Sequence, residues 1–246
     1  MIPTLNSEPA VIHCGICGDP SNASPCAACR ITAMPHQEDD APNIAAEAQT
    51  RDQDALRASW RALNCPPNYA STQWAETTLH PGLSPKCATL ARQWWSKDGL
   101  GLLMHGASGT GKTRAAWDIL RRHHFARRWR CGFVKVFQFN QWAHDTSSRT
   151  ARDREEARTR ITAAKKVDLL VLDDLGTEPD ADQTFAGHLW DLLEVRTSWN
   201  RPTIVTTEHI GETLTRRFLP SSQTDAARIL RRLREFCDSH NVNFTH

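Results

Sequence analysis

The sequence predicts an α/β fold, a parallel sheet with helices on both faces, preceded by a small cysteine-bearing module. Three observations predict it. From residue 100 onward, short apolar runs alternate with longer stretches of helical spacing, the pattern of strand–helix units that feed a parallel sheet. A glycine-rich segment, residues 106–113, stands between the first apolar run and the helical stretch that follows it. Four of the eight cysteines form two close pairs within the first 31 residues.

Taken in order, residues 100–105 are expected as a buried strand, 112–128 as a helix, 133–137 as a strand and 149–164 as an exposed, charged helix. Residues 167–173 follow as an apolar strand. The stretch 184–199 carries Phe185, Leu189, Leu192, Val195 and Trp199 at three- and four-residue spacing and predicts a helix, which Arg201-Pro202 ends before a strand at 203–207. A last helix is expected over 224–236. The domains read as a cysteine module (1–31), an acidic, polar linker (32–59) and a nucleotide-binding domain (60–246).

Composition bounds the setting. At 246 residues, with 39% apolar and 24% charged side chains, the chain has room for one α/β core and an appended module. No apolar run approaches the ~20 residues of a bilayer span, and residues 1–10 lack the basic start and apolar stretch of a signal peptide. A cytoplasmic, reducing setting is the expectation. The net charge of +2 conceals segregation: residues 38–54 are acidic, while 114–130 hold six arginines against Asp118. Arginine-rich faces suit phosphate backbones, and a solvated helix face is the alternative for any one of them.

Gly106-Ala107-Ser108-Gly109-Thr110-Gly111-Lys112-Thr113 matches GxxxxGK[ST] at every fixed position, directly after a strand and opening a helix. Glycines at 106, 109 and 111 permit turns in which successive backbone N–H groups converge on a phosphate at a helix N-terminus. Lys112 is expected on the β- and γ-phosphates, and the Thr113 hydroxyl on Mg²⁺. The run Leu169-Leu170-Val171-Leu172-Asp173-Asp174 delivers two carboxylates at the carboxyl end of a strand, where open α/β sheets bind ligands. Asp173 is the expected partner of hydrated Mg²⁺, and Asp174 is placed to orient or activate the attacking water. The cofactor set expected here is ATP with Mg²⁺.

The segments 106–113, 169–176 (LLVLDDLG) and 201–207 (RPTIVTT), with the arginine-rich helix after them, resemble the DnaC/IstB branch of the AAA+ P-loop ATPases. The resemblance spans about residues 65–236 and includes 66–74 (PPNYASTQW), similar to the short segment that contacts the nucleotide base in that branch. It implies a P-loop NTPase fold, a homo-oligomer, and an arginine finger supplied to a neighbouring subunit. Arg232 matches that finger, and Arg228 is the candidate for a second, sensing arginine. It implies ATP hydrolysis, a replicative helicase or a transposase as partner, and DNA binding, with single-stranded DNA favoured. One position departs from the family pattern: where an asparagine usually senses the γ-phosphate, Glu208 stands instead.

Cys14-x2-Cys17-x8-Cys26-x2-Cys29 supplies four thiolates, the donor set of a closed, tetrahedral structural Zn²⁺ site. So short a segment needs the metal's free energy to fold. Redox-active CxxC pairs are the alternative, with no thioredoxin-like pattern around them. Trp129, among Arg127, Arg128 and Arg130, is the best candidate for stacking on a single strand, whereas Trp94, Trp95, Trp190 and Trp199 occupy apolar positions expected in the core.

Overall fold

The computed structural model describes residues 40–70, 84–97, 99–177, 182–217 and 223–243. The expected zinc ligands Cys14, Cys17, Cys26 and Cys29 lie outside the described residues. Helix α1 (Asp40–Ala62) runs through much of the stretch read as a polar linker, and from Ala55 the chain belongs to the compact unit that carries the sheet. After the short α2 (Pro67–Ala70) comes α3 (Pro85–Gln93), capped by the Ser84 side chain, which accepts from Cys87 N–H.

The strands are β1 (Gly101–His105), β2 (Cys131–Lys135), β3 (Leu169–Leu175), β4 (Thr203–Thr207) and β5 (Cys237–Asn241). They form one sheet in the order β2-β3-β4-β1-β5, with every neighbouring pair parallel. Parallel neighbours need crossover helices. These are α4 (Lys112–Arg127), α5 (Val136–Asp145), α6 (Ala151–Lys166), α7 (Gln183–Ser198), α8 (Glu212–Arg217) and α9 (Gln223–Phe236).

Side chains alternate along the strands and divide the core in two. Leu102, Met104, Leu169, Val171 and Ile204 pack on one face with Leu90, Ala115, Ile119 and Leu120 from α3 and α4. Leu103, Leu170, Leu172 and Val205 pack on the other with Phe139, Ile161, Phe185, Leu189 and Ile229 from α5, α6, α7 and α9. Burial on both faces explains the apolar runs 102–104 and 169–172 in β1 and β3. No helix among the described residues is long and apolar enough to cross a membrane.

Several elements differ from the sequence expectation, α1, α2 and α3 among them, since no helix was expected before residue 100. The run 133–137, with Phe133, Val134, Val136 and Phe137, reads as a strand, yet β2 ends at Lys135 and Val136, Phe139 and Ala143 are buried on α5. Helix α8 went unforeseen, and so did β5, whose sequence CDSHN is polar because it is an edge strand exposed along most of its length. Trp199 is also not a core residue: it follows the end of α7 and is 70% exposed.

Candidate active site

The glycine-rich loop joins β1 to α4. Gly109 and Gly111 adopt φ of 79° and 94°, and Gly111 is the N-cap of α4, with no side chain to occupy the first-turn N–H groups. Those donors remain available to an anionic ligand at the positive end of the helix dipole. Lys112 is buried, and its Nζ donates to Gly106 O at 2.8 Å and Ala107 O at 2.9 Å, so the ammonium closes the loop from inside. The loop is anchored from outside as well. Gly106 N donates to Thr207 O at the end of β4, Ser84 N donates to Thr110 O, and Ala107 N donates to Asn243 Oδ1 at 2.6 Å. A Cβ on Gly106 would meet that same Asn243 oxygen at 2.5 Å, so the loop and the tail after β5 fit only with glycine there.

The carboxylates sit beside this loop through a defect in the sheet. Pairing between β3 and β4 shifts register between Leu172 and Leu175, and Asp174 takes a left-handed φ of 62°. Bulges of this kind re-aim side chains. Asp174 N donates to Thr206 Oγ1 at 2.9 Å, and the same hydroxyl donates to Asp173 Oδ1 at 2.7 Å, so one threonine fixes both acidic residues. Thr113 Oγ1 also donates to Asp173 Oδ1, at 2.9 Å. Asp173 is 1% exposed and its Oδ2 is buried without a hydrogen-bond partner. Burial foremost, and then the charge of Asp174, raises the Asp173 carboxyl above the ordinary carboxylate range. A buried, unpartnered carboxylate oxygen beside a threonine hydroxyl fits Mg²⁺, a hard ion that takes few protein ligands.

The structure thus brings Lys112, Thr113, Asp173 and Asp174 together. Tyr69 joins them: the Arg114 guanidinium lies 5.6 Å from its ring centre, and burial, then Asp173, raise its phenol pKa. Arg228 and Arg232 are elsewhere, on α9 where it packs on α7. Arg232 donates to Glu194 at 2.7 Å and to Glu235 at 3.3 Å, and the Arg228 guanidinium is 5.9 Å from the Trp190 ring centre. Glu208 follows β4 in an exposed bend, while Thr206, one of the two threonines preceding it, makes the contacts to Asp173 and Asp174. Thr206 could be suspected from the sequence. Asn243 could not, because nothing in a polar tail signals a contact with a loop 136 residues earlier.

A parallel sheet with a lysine-closed phosphate loop on one strand and two acidic residues on another defines a P-loop NTPase. The family model described as IstB-like ATP binding protein matches residues 41–244, and the chain belongs to this family. The fold is shared with solved structures of low identity. The crystal structure of DnaI superposes with a TM-score of 0.56 at 22% identity, covering 74% of this chain and 93% of that one. The DnaC helicase loader gives 0.54 at 18%, covering 72% and 100%. The replication initiator DnaA, bound to AMPPCP and single-stranded DNA, gives 0.54 at 14%, covering 73% and 51%. No curated protein matches the chain.

Proposed function

We propose that this chain is an ATP-hydrolysing, DnaC-like helicase loader or a related DNA-replication ATPase acting in the cytoplasm. The observation that carries the reading is the convergence of Lys112, Thr113, Asp173 and Asp174 at the carboxyl edge of the sheet. In it, the loop N–H groups and Lys112 would hold the β- and γ-phosphates, and Thr113 and Asp173 would hold the metal. Bound Mg²⁺ supplies charge neutralisation on the phosphate oxygens. Asp174, with its backbone fixed by Thr206, orients or deprotonates the attacking water. An aspartate is one methylene shorter than glutamate, so slow or partner-stimulated turnover follows. Arg232 completes the site of a neighbouring subunit in a homo-oligomer, which requires its release from Glu194.

Single-turnover ATP hydrolysis with and without single-stranded DNA tests the reading. Asp174→Asn is expected to lower the rate at least tenfold while leaving nucleotide binding intact, and Lys112→Ala to weaken binding itself. Equal rates for wild type and Asp174→Asn would remove the catalytic assignment and leave a nucleotide-dependent adaptor. The family match supports a second reading, an IstB-like transposition helper working on duplex DNA with a transposase. Salt titrations of single-strand and duplex binding separate the two, since preference for the duplex contradicts the loader. The four-cysteine motif is read as a structural Zn²⁺ site that grips the protein partner. Elemental analysis of the purified full chain tests it, and a zinc-free folded protein contradicts it.

A further inference from the structure

At the opposite edge of the sheet, where the strands begin, a groove of about 310 Å³ opens between the segments that lead into β1, β2, β3 and β4. That volume lies in the ~300–1,000 Å³ range of small-ligand sites. Its walls include Trp129 and Trp199, with Arg127 and Arg201 beside them. The arginines and rings alternate. The Arg127 guanidinium lies between Trp95 and Trp129, 5.0 and 4.9 Å from their centres, and Arg122 covers Trp95 at 4.7 Å. Across the groove Arg201 lies 5.8 Å from the Trp199 ring centre.

The charge of the groove is set by its partners. Asp168 is the one carboxylate among the described lining residues, and its two oxygens accept from Arg130 side-chain and backbone donors. Beneath the rim, the fully buried Arg196 donates to the carbonyls of Ala164, Val167, Asp168 and Pro202 and to Thr203 Oγ1. It fixes the rim and places an additional positive charge under it. A rigid surface of alternating indole and guanidinium planes with surplus positive charge suits flat, π-faced, polyanionic partners. Trp199, 70% exposed, presents its ring to an incoming partner.

We infer that this groove binds single-stranded DNA, stacking an unpaired base on Trp199 with Arg127 and Arg201 beside the backbone, while Trp129, its ring packed on His123 and Arg127, shapes the wall. The inference rests on the proposed function for the kind of partner only, and it separates the DNA surface from the nucleotide site by the depth of the sheet. Binding there therefore does not require ATP.

The test uses the full chain and fluorescein-labelled oligo(dT) in anisotropy titrations, without nucleotide. Trp199→Ala is expected to weaken binding about tenfold, the value of one lost stacking contact, and Trp199→Phe to restore much of it. Melting temperature and binding of a fluorescent ATP analogue should be unchanged, which excludes unfolding. Ultraviolet crosslinks should map to peptides containing Trp129 or Trp199. Wild type that binds oligo(dT) with Trp199→Ala equally tight overturns the groove and leaves DNA binding elsewhere. Wild type that does not bind oligo(dT) at all overturns the DNA reading itself. Equal affinity for a duplex of the same length, or a Trp199→Ala variant whose only change is a smaller sedimenting species, also overturns the inference, the latter by making the patch a protein contact.

Discussion

Asp173 answers two opposed demands. Its Oδ1 accepts from Thr113 and Thr206, while its Oδ2 is buried without a partner beside a second acidic residue. A carboxyl whose folded pKa lies above its unfolded value contributes stability below the unfolded pKa and loses it as pH rises through the folded one. Burial and Asp174 raise Asp173 in this way, so its contribution to stability is lost as pH rises through the folded pKa, and a bound cation offsets that loss. Asp173→Asn is expected to raise the melting temperature of the metal-free protein by about 2–4 °C for each kcal/mol relieved. The same variant should lose the tightening of ATP binding by Mg²⁺. Thermal melts with EDTA, paired with nucleotide titrations with and without Mg²⁺, check both. A lowered melting point would mean that the hydrogen bonds to Oδ1 outweigh the charge.

Among the elements, α4 ties the nucleotide loop to the tryptophan cluster and carries two buried titrating groups of opposite sign. Burial pushes Asp118 up to about 6 against the pull of Arg121, and burial pushes His123 down to about 4. Asp118 therefore adds stability as pH falls through about 6, whereas His123, neutral when folded, loses it as pH falls from 6.5 toward about 4. Each shift corresponds to roughly 3 kcal/mol, so between pH 6.5 and 4 they largely offset. Asp118→Asn removes one side of the balance. The variant should be more stable than wild type at pH 7, and its advantage should shrink by about 3 kcal/mol by pH 4; urea titrations at the two pH values measure this, and parallel pH profiles would refute it. What the sequence made legible follows from the same distinction between local and distant causes. Residues 106–113 and 169–174 were readable because a phosphate loop and a carboxylate strand are local patterns of glycine, apolar residues and charge. Strands β1 and β3 were readable because burial on both faces gives them apolar runs, and β4 because β-branched Thr, Ile and Val follow the helix-ending Arg201-Pro202. Strand β5 was not, since a polar edge strand has no such signature, and Arg196, in the last turn of α7, gave no sign of its role at the strand starts.

At the scale of the molecule, the sheet separates two chemistries: phosphate and acidic groups at the carboxyl edge, tryptophan and arginine at the amino edge. The remaining expected catalytic group belongs to neither edge. Arg232 sits on α9, tied to Glu194 of α7 and to Glu235, with a side chain 21% exposed. Those contacts are compatible with a structural arginine and with one that leaves them to reach a neighbour's nucleotide. Subunit mixing discriminates between the two. Arg232→Ala alone and Lys112→Ala alone should each lower ATP turnover, the first with nucleotide binding retained. Mixed in equal amounts at a concentration that favours assembly, they create interfaces in which an intact loop from the Arg232→Ala subunit faces an intact Arg232 from the Lys112→Ala subunit. Turnover of the mixture above the sum of the two separate variants is the expected result. Turnover equal to that sum, with both variants folded and assembled, would assign Arg232 to the Glu194 contact and leave hydrolysis to the residues of a single chain.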